Sequence, residues 1–512
     1  MAFTLRPYQD DLINATRAAL RRHRRVLLQA PTGAGKTALA SEMMQGASRR
    51  GSLTLFVCHR AELVLQTSKT LAKVGVDHSF VAANWPYDPT AKVLVCSVDT
   101  LKSRQAKLQL DPDLVIWDEC HHIGAAGWAK LMEGFQRAYH VGLSATPTRL
   151  DGSGLDAYFD ELVPGPSVSW LIEQGYLSQY IVYAPSSPDL DKVRSLAGDY
   201  RPADAERAMT AQLTGDAIEH WEARALNKRT VGFCVTVAHS KACAAAFTAA
   251  GHAAAHLDGD TPKEERAEII RRFAAGEIKV LFNVNLFGEG FDLSAAAGTD
   301  VTIDCVILLR PTQSLSLYLQ MVGRCLRPAL GKLAVILDHA GCALRHGLPD
   351  DVRSWPLTGR GTGANAADTE PVAPAPATCG GCFRQVRRPL LSIYCPDCNH
   401  PLVEPKPLPK HSKEELRELK RAELEAAKAA KEQAKIDKEL ARELAKMEKE
   451  KAKRDAAVQR KAEEHACDSL EQLVALAKRR GYRYANAWAE NVWARWKQRG
   501  IVARKRAALH PA

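Results

Sequence analysis

A glycine-rich turn at Pro31-Thr32-Gly33-Ala34-Gly35-Lys36-Thr37 ends in a lysine and a hydroxyl, and an acidic pair stands at Asp118-Glu119. Glycines let successive backbone N–H groups turn inward around phosphate oxygens, and a helix starting there adds the positive end of its dipole. Lysine at this spacing reaches β- and γ-phosphates, and the hydroxyl beside it ligates Mg²⁺. Thr32, Gly33, Ala34, Gly35, Lys36 and Thr37 are therefore the expected phosphate contacts, although Ala30 replaces the first glycine of the strict pattern. An aspartate at the end of a buried strand holds the metal, and the glutamate next to it orients water. The two strings predict a bound and hydrolysed nucleoside triphosphate, with Mg²⁺ on Thr37 and Asp118 and with Lys36, Asp118 and Glu119 catalytic.

These residues need a sheet to hold them. Apolar runs at 25–29, 53–57, 93–96, 114–117 and 139–143 alternate with helical segments such as 37–44, the alternation of a parallel α/β sheet. Ligands of such sheets bind at the carboxyl ends of the strands, where both strings fall. A second alternation runs through 230–235, 279–282, 305–309 and 334–337, without a phosphate loop. The expected organisation is a first lobe at 1–180, a polar helical connector at 181–228 and a second lobe at 229–350.

Over residues 1–340 the chain resembles the superfamily 2 helicases. Arg6-Pro7-Tyr8-Gln9 is similar to their adenine-reading motif, which implies base contacts from Arg6 and Gln9. Residues 31–37 resemble motif I, and Asp118-Glu119-Cys120-His121 resembles motif II and brings His121 into the catalytic set. Ser144-Ala145-Thr146-Pro147 resembles motif III, which couples hydrolysis to nucleic-acid grip. His256-Leu257-Asp258-Gly259, the stretch 283–292 and Gln320-Met321-Val322-Gly323-Arg324-Cys325-Leu326-Arg327 resemble the second-lobe motifs. The resemblance places Gly290 and Asp292 at the ATP site, gives Gln320 a coupling role and makes Arg324 and Arg327 arginine fingers. It implies two tandem RecA-like parallel-sheet lobes, ATP and Mg²⁺ as cofactors, and a nucleic-acid partner. The string 146–152 and a cysteine ribbon downstream look most like the RadD (YejH)-type DNA repair helicases and their phage relatives. DNA is thus favoured over RNA, with repair, recombination or replication as the setting. An RNA helicase and the motor subunit of a restriction or defence system are the alternatives. A non-enzymatic adaptor built on the ribbon and long helix is disfavoured by the intact Lys36, Glu119, Arg324 and Arg327.

Composition fits these expectations. A chain of 512 residues has room for several cores. A net charge of +11 suits a polyanion partner. No run of about 18 apolar residues crosses a membrane, and the first residues lack a signal-peptide core. The 13 cysteines include four in a metal pattern, and the others fit buried thiols in a reducing cytoplasm.

Residues 351–378 read as a flexible linker, their stretch 358–378 being rich in Gly, Ala and Pro. Cys379, Cys382, Cys395 and Cys398 form two Cys-x-x-Cys pairs, which suit tetrahedral Zn²⁺ in a ribbon at 379–402. Arg384, Arg387 and Arg388 on the intervening hairpin would favour nucleic acid; His400 reads as a bystander. Ser412-Lys413-Glu414-Glu415 is a capping box opening a charged helix at 412–465, roughly 80 Å long at about 1.5 Å per residue. The last segment, 466–512, reads as a small basic, aromatic helical unit. Its Trp488, Trp493 and Trp496 build the unit's core or stack on bases among Arg495, Lys497 and Arg499. The long helix and this unit are also candidate docking elements for a protein partner.

Overall fold

The structure, a computed structural model, describes residues 4–59, 61–124, 126–149, 153–185, 188–191, 193–196, 198–209, 211–286, 293–359, 374–402, 455–456, 458–498 and 500–501. Gly290, Asp292 and most of the expected long helix lie outside these residues. The chain divides into two compact units, Met1–Lys406 and Pro407–Ala512.

Within the first unit, seven strands make one parallel sheet: β1 (Arg25–Gln29), β2 (Thr54–Cys58), β3 (Ser79–Val81), β4 (Val93–Ser97), β5 (Leu114–Asp118), β6 (Tyr139–Ser144) and β7 (Glu161–Val163). Their order is β3-β4-β2-β5-β6-β1-β7. Helices cover both faces, so the strands read as nearly continuous apolar runs; every residue of β2 is buried. The order decides the chemistry. β6 lies between β5 and β1, pairing Asp118 with Leu143 on one side and Ser144 with Gln29 on the other. Two strand spacings, about 10 Å, separate Asp118 from the turn after β1, and the end of β6 sits between them.

The second sheet holds β8 (Gln179–Tyr183), β11 (Thr230–Cys234), β12 (Ala254–Leu257), β13 (Val280–Asn283), β14 (Cys305–Leu309) and β15 (Leu333–Asp338), in the order β12-β13-β11-β14-β15-β8. A small hairpin, β9 (Ser195–Leu196) and β10 (Asp199–Tyr200), precedes β11. The expected connector is therefore part of the second lobe. Residues 179–183 run parallel to β15 as its edge strand. The helix Ala211–Ala225 lays the buried Trp221 on the same sheet, where its indole N–H donates to Thr230 Oγ1 at 2.7 Å. The polar face of that helix dominates its composition and hides the apolar stripe.

Two further corrections concern residues C-terminal to the second lobe. Residues 351–359, expected as the start of a loose linker, are fastened at both ends. Arg353 donates to the carbonyls of His346 (3.1 Å) and Leu348 (2.7 Å) on the second lobe. Leu357 accepts from the Leu155 N–H of the first lobe at 2.8 Å, and Gly359 bridges to Ser153. The segment is a strap between lobes; its continuation, 360–373, lies outside the described residues. The ribbon, with β16 (Ala377–Thr378) paired to β17 (Gln385–Val386), sits on the outer edge of the second sheet. Ala184 N–H donates to Phe383 O at 2.9 Å, Tyr183 O–H to Asp397 Oδ2 at 2.7 Å, and Arg387 pairs with Asp350 and Asp351. Arg384 lies 3.5 Å from Asp397. Two of the three hairpin arginines thus serve the fold, leaving Arg388 exposed.

The second unit pairs the helices Leu470–Arg479 and Ala485–Gln498. Ser469 caps the first by accepting from Gln472 N–H at 3.2 Å. The core is Cys467, Leu473, Leu476, Ala489, Val492 and Trp496, with Trp488 and Trp493 packed against it. The tryptophans build the unit, as its small size requires; Tyr482 and Tyr484 are exposed, with Tyr484 beside Arg483.

Candidate nucleotide site between the lobes

The turn after β1 has the backbone that phosphate binding needs. Gly33 and Gly35 have φ of +89° and +87°, and a Cβ on Gly35 would lie 2.5 Å from Gln9 Nε2. The helix Lys36–Ser48 opens at Gly35 without a capping side chain, so its first N–H groups are left for an anion. Lys36 Nζ is 2.7 Å from Glu119 Oε1, in a pair whose side chains are 15% and 4% exposed. An ammonium held this way is poised for phosphate, and phosphate binding must break the pair.

Asp118 is half-buried at the end of β5. Burial pushes its carboxyl up to about 6, with the adjacent Glu119 charge adding and Lys36 opposing. A half-buried carboxylate with a raised pKa is stabilised by a cation, and Asp118 and the Thr37 hydroxyl are oxygen donors of the kind that suits Mg²⁺. Glu119 sits at φ +48°, a left-handed conformation that non-glycine residues rarely adopt and that clusters at functional sites. That backbone swings Glu119 back toward Lys36 instead of onward along the strand axis.

From Glu119 a line of close contacts crosses to the other lobe. Glu119 Oε2 is 3.5 Å from His121 Nδ1, which is 3.2 Å from Ser144 Oγ. Ser144 O–H donates to the Thr146 carbonyl at 2.9 Å. Thr146 O–H donates to Ser316 Oγ at 2.5 Å, and Ser316 lies on the second-lobe helix Leu315–Gly323. The last residue of that helix, Gly323, is pressed on the phosphate loop: a Cβ there would meet Thr32 Cγ2 at 2.4 Å. Arg324 follows directly and is 7% exposed. The crossing segment braces the seam, with Ser178 N–H on Leu326 O at 2.8 Å and Ser178 O–H on Arg327 O at 3.0 Å. Lys332 holds the same Arg327 carbonyl at 2.6 Å.

Lys36, Glu119, His121, Ser144 and Thr146 come together, and Gln9 sits against the phosphate loop. Gln9 has both amide ends engaged: Nε2 donates to Ala34 O at 2.8 Å, and Oε1 accepts from Arg6 N–H at 3.0 Å. Tyr8 O–H donates to the same Ala34 carbonyl at 2.8 Å, and Arg6 stacks over Tyr176 at 5.0 Å. In this arrangement Gln9 props the phosphate loop. Thr32 Oγ1 and both ends of the Gln320 amide are buried without a hydrogen-bond partner. Such atoms are costly unless a ligand satisfies them, and these border the cleft. Ala145 and Thr32 line a cavity of about 380 Å³ between the lobes, with Val322, Gly323, Leu326 and the strap's Trp355. Tyr176, Ser178, Ser316 and Lys332 were not legible as site residues: each acts across more than a hundred residues or through a carbonyl.

In the ribbon, the Sγ atoms of Cys379, Cys382, Cys395 and Cys398 lie within 4.8 Å of one another, with Cys379–Cys398 and Cys382–Cys395 both at 3.6 Å. Four thiolates about 2.3 Å from one ion in a tetrahedron stand about 3.8 Å apart, so the donor set fits Zn²⁺. His400 packs against Gly381 and is not one of the four.

Residues 2–149 match the family model described as Type III restriction enzyme, res subunit, and residues 216–329 match Helicase conserved C-terminal domain. The chain is 34% identical over 329 residues to the "51.5 kDa protein" of a Lactococcus phage (isolate 7-9), covering 64% of this chain and 68% of that one. It is 31% identical over 351 residues to IRC3 of Saccharomyces cerevisiae, named as a candidate ATP-dependent helicase, covering 63% of this chain and 49% of that one. Over 149 residues it is 30% identical to the DNA 3'-5' translocase XPB2 of Sulfurisphaera tokodaii, covering 29% and 32%. The chain thus spans about half the length of the yeast relative. Among the described residues no helix is long and apolar enough to cross a membrane.

Proposed function

We infer that this chain, which belongs to the superfamily 2 helicases, is an ATP-hydrolysing motor that translocates on DNA. The observation that carries the reading is the contact line from Lys36 through Glu119, His121, Ser144 and Thr146 to Ser316. It ties the phosphate loop to the lobe that bears Arg324 and Arg327.

Lys36 and the helix opening at Gly35 hold the β- and γ-phosphates. Thr37 and Asp118 would hold Mg²⁺, which supplies charge neutralisation at the phosphates. Glu119, released from Lys36 when phosphate arrives, orients the attacking water. Arg324 and Arg327 approach from the second lobe, so hydrolysis requires the lobes to meet. Loss of the γ-phosphate alters Glu119, and the change reaches Ser316 through four short contacts. Alternate closing and opening moves the lobes along a strand held by its backbone.

DNA is the favoured track, in line with the printed name of the archaeal relative. The resemblance to RadD-type enzymes points to repair, recombination or replication. We also place Zn²⁺ in the ribbon, as a staple of the second sheet's edge, and the chain in a reducing cytoplasm. The test is ATPase activity with single-stranded DNA, double-stranded DNA and RNA. DNA should stimulate; stimulation by RNA alone would overturn the choice of track. The matched restriction-enzyme family favours one second reading, a restriction-system motor, which would show DNA-stimulated ATPase and cleavage only with a separate nuclease subunit.

A further inference from the structure

A second cluster of metal-type donors lies outside the nucleotide site and the ribbon. Cys234 ends β11, and the helix Val237–Ala249 starts just beyond it, capped by Thr236 Oγ1 accepting from His239 N–H at 3.1 Å. His239 and Cys243 are four residues apart on that helix and share a face. The strand end and the first helical turns thus bring together Cys234, His239 and Cys243, with one donor atom from each within 4.8 Å of the others. They are 1%, 7% and 0% exposed. His239 Nε2 is buried without a hydrogen-bond partner. Its Nδ1 accepts a long hydrogen bond from the Val235 N–H at 3.5 Å, so only this weak contact orients the ring.

We propose that Cys234, His239 and Cys243 bind a zinc ion in the second lobe. Soft thiolates with an imidazole select zinc over the oxygen-seeking Mg²⁺ and Ca²⁺. Two thiolates, a neutral imidazole and a divalent ion sum to zero charge, which a buried site requires. Zn²⁺ imposes no geometry of its own and tolerates three protein donors with a fourth position open. Donor spacing already approaches that of a coordination shell, so modest side-chain rotation closes it. The competing arrangement, in which the Cys234 thiol hydrogen-bonds with Cys243 and Ser240, still leaves His239 Nε2 unsatisfied.

The site has a mechanical consequence. Ser240, next to His239, has its Oγ 2.7 Å from His256 Nδ1; His256 Nε2 is 3.0 Å from Asp258 Oδ2. Asp258 Oδ1 in turn accepts from the N–H groups of Asp260 (3.0 Å) and Thr261 (2.8 Å). An ion that fixes the start of this helix also fixes the loop at 258–261.

The experiment compares zinc content of the full chain and of Cys243→Ala by elemental analysis after gel filtration in chelator. The variant should carry about one equivalent less than the wild type, with the ribbon cysteines untouched in both. Equal zinc content would overturn the site. Because Cys243→Ala removes a buried group, the wild-type protein is also reconstituted with ¹¹³Cd²⁺. Two cadmium resonances are expected, one from four thiolates and one displaced by nitrogen coordination. A single four-thiolate resonance, or a Cys234–Cys243 disulfide in the unreduced protein by mass spectrometry, refutes the proposal.

Discussion

Replacing Gly323 by alanine tests whether the two lobes form one catalytic site. Gly323 closes the helix Leu315–Gly323 with an ordinary backbone, so alanine suits the helix itself and should favour it by about 0.5–1 kcal/mol. The obstacle is across the seam. The added Cβ would lie 2.4 Å from Thr32 Cγ2 and 2.6 Å from Thr32 Cβ, well inside contact distance. Thr32 sits on the phosphate loop, braced by Tyr8 and Gln9 through Ala34, and cannot retreat cheaply. Overpacking of this kind costs about 1–3 kcal/mol. The cost falls on the arrangement in which the lobes touch and spares each lobe alone. Because that arrangement presents Arg324 and Arg327, kcat should fall about 5–150-fold, the equivalent of that energy. Thermal stability should hold or rise slightly. ATP binding, followed with a fluorescent analogue, should change less than kcat. Thr32→Gly removes both clashing atoms, so the double variant should recover part of the loss, and the two substitutions should be non-additive. A folded Gly323→Ala protein with wild-type kcat would mean that this seam is not the one used in hydrolysis.

Three other outcomes are expected. Glu119→Gln should keep ATP binding and lose turnover, whereas Lys36→Ala should lose binding; filter binding beside steady-state hydrolysis separates the two. The Asp118 carboxyl, raised to about 6, holds its proton more tightly in the folded chain than in the unfolded one. Its contribution therefore favours the fold in acid and is lost as pH rises from about 4 to about 6, while Mg²⁺ affinity grows. At about pH 5 only about a tenth is ionised, so the Mg²⁺ requirement should rise about tenfold relative to pH 8; a flat Mg²⁺ profile would remove Asp118 from the metal. Cys395→Ser with Cys398→Ser should release about one equivalent of zinc and increase hydrogen exchange along 179–184, the edge that the ribbon covers. Unchanged zinc content would clear these cysteines of a ligand role.

Local chemistry was legible where neighbours in sequence are neighbours in space. The turn 31–37 between a strand and a helix, the acidic pair after β5 and the two Cys-x-x-Cys pairs carry their meaning within a few residues. The elements that escaped depend on pairing at a distance. β8 has ordinary strand composition, and only its register with β15, some 150 residues on, gives it to the second lobe. Arg384 and Arg387 look like a basic patch until their carboxylate partners are in view. Gln9, which the resemblance assigns to a base, also reaches the phosphate loop through Ala34, a contact that only the fold brings about. Tryptophans amid basic residues fit a stacking platform or a core equally well by spacing; a unit with few other large side chains needs them inside.

The strap at 351–359 changes what separation of the lobes can mean. The backbone passes from the first lobe to the second through 164–178, and Leu357 brings it back to hydrogen-bond Leu155. Two anchor points define a line. Held at both, the second lobe should swing about that line more readily than it slides or twists. A stroke confined to one axis has a fixed direction, so the step is set by how far the swing travels. Cutting the chain before Leu357 would leave every nucleotide contact intact and remove one of the two pivots. Such a fragment should still hydrolyse ATP, with the work scattered over several directions instead of delivered along one.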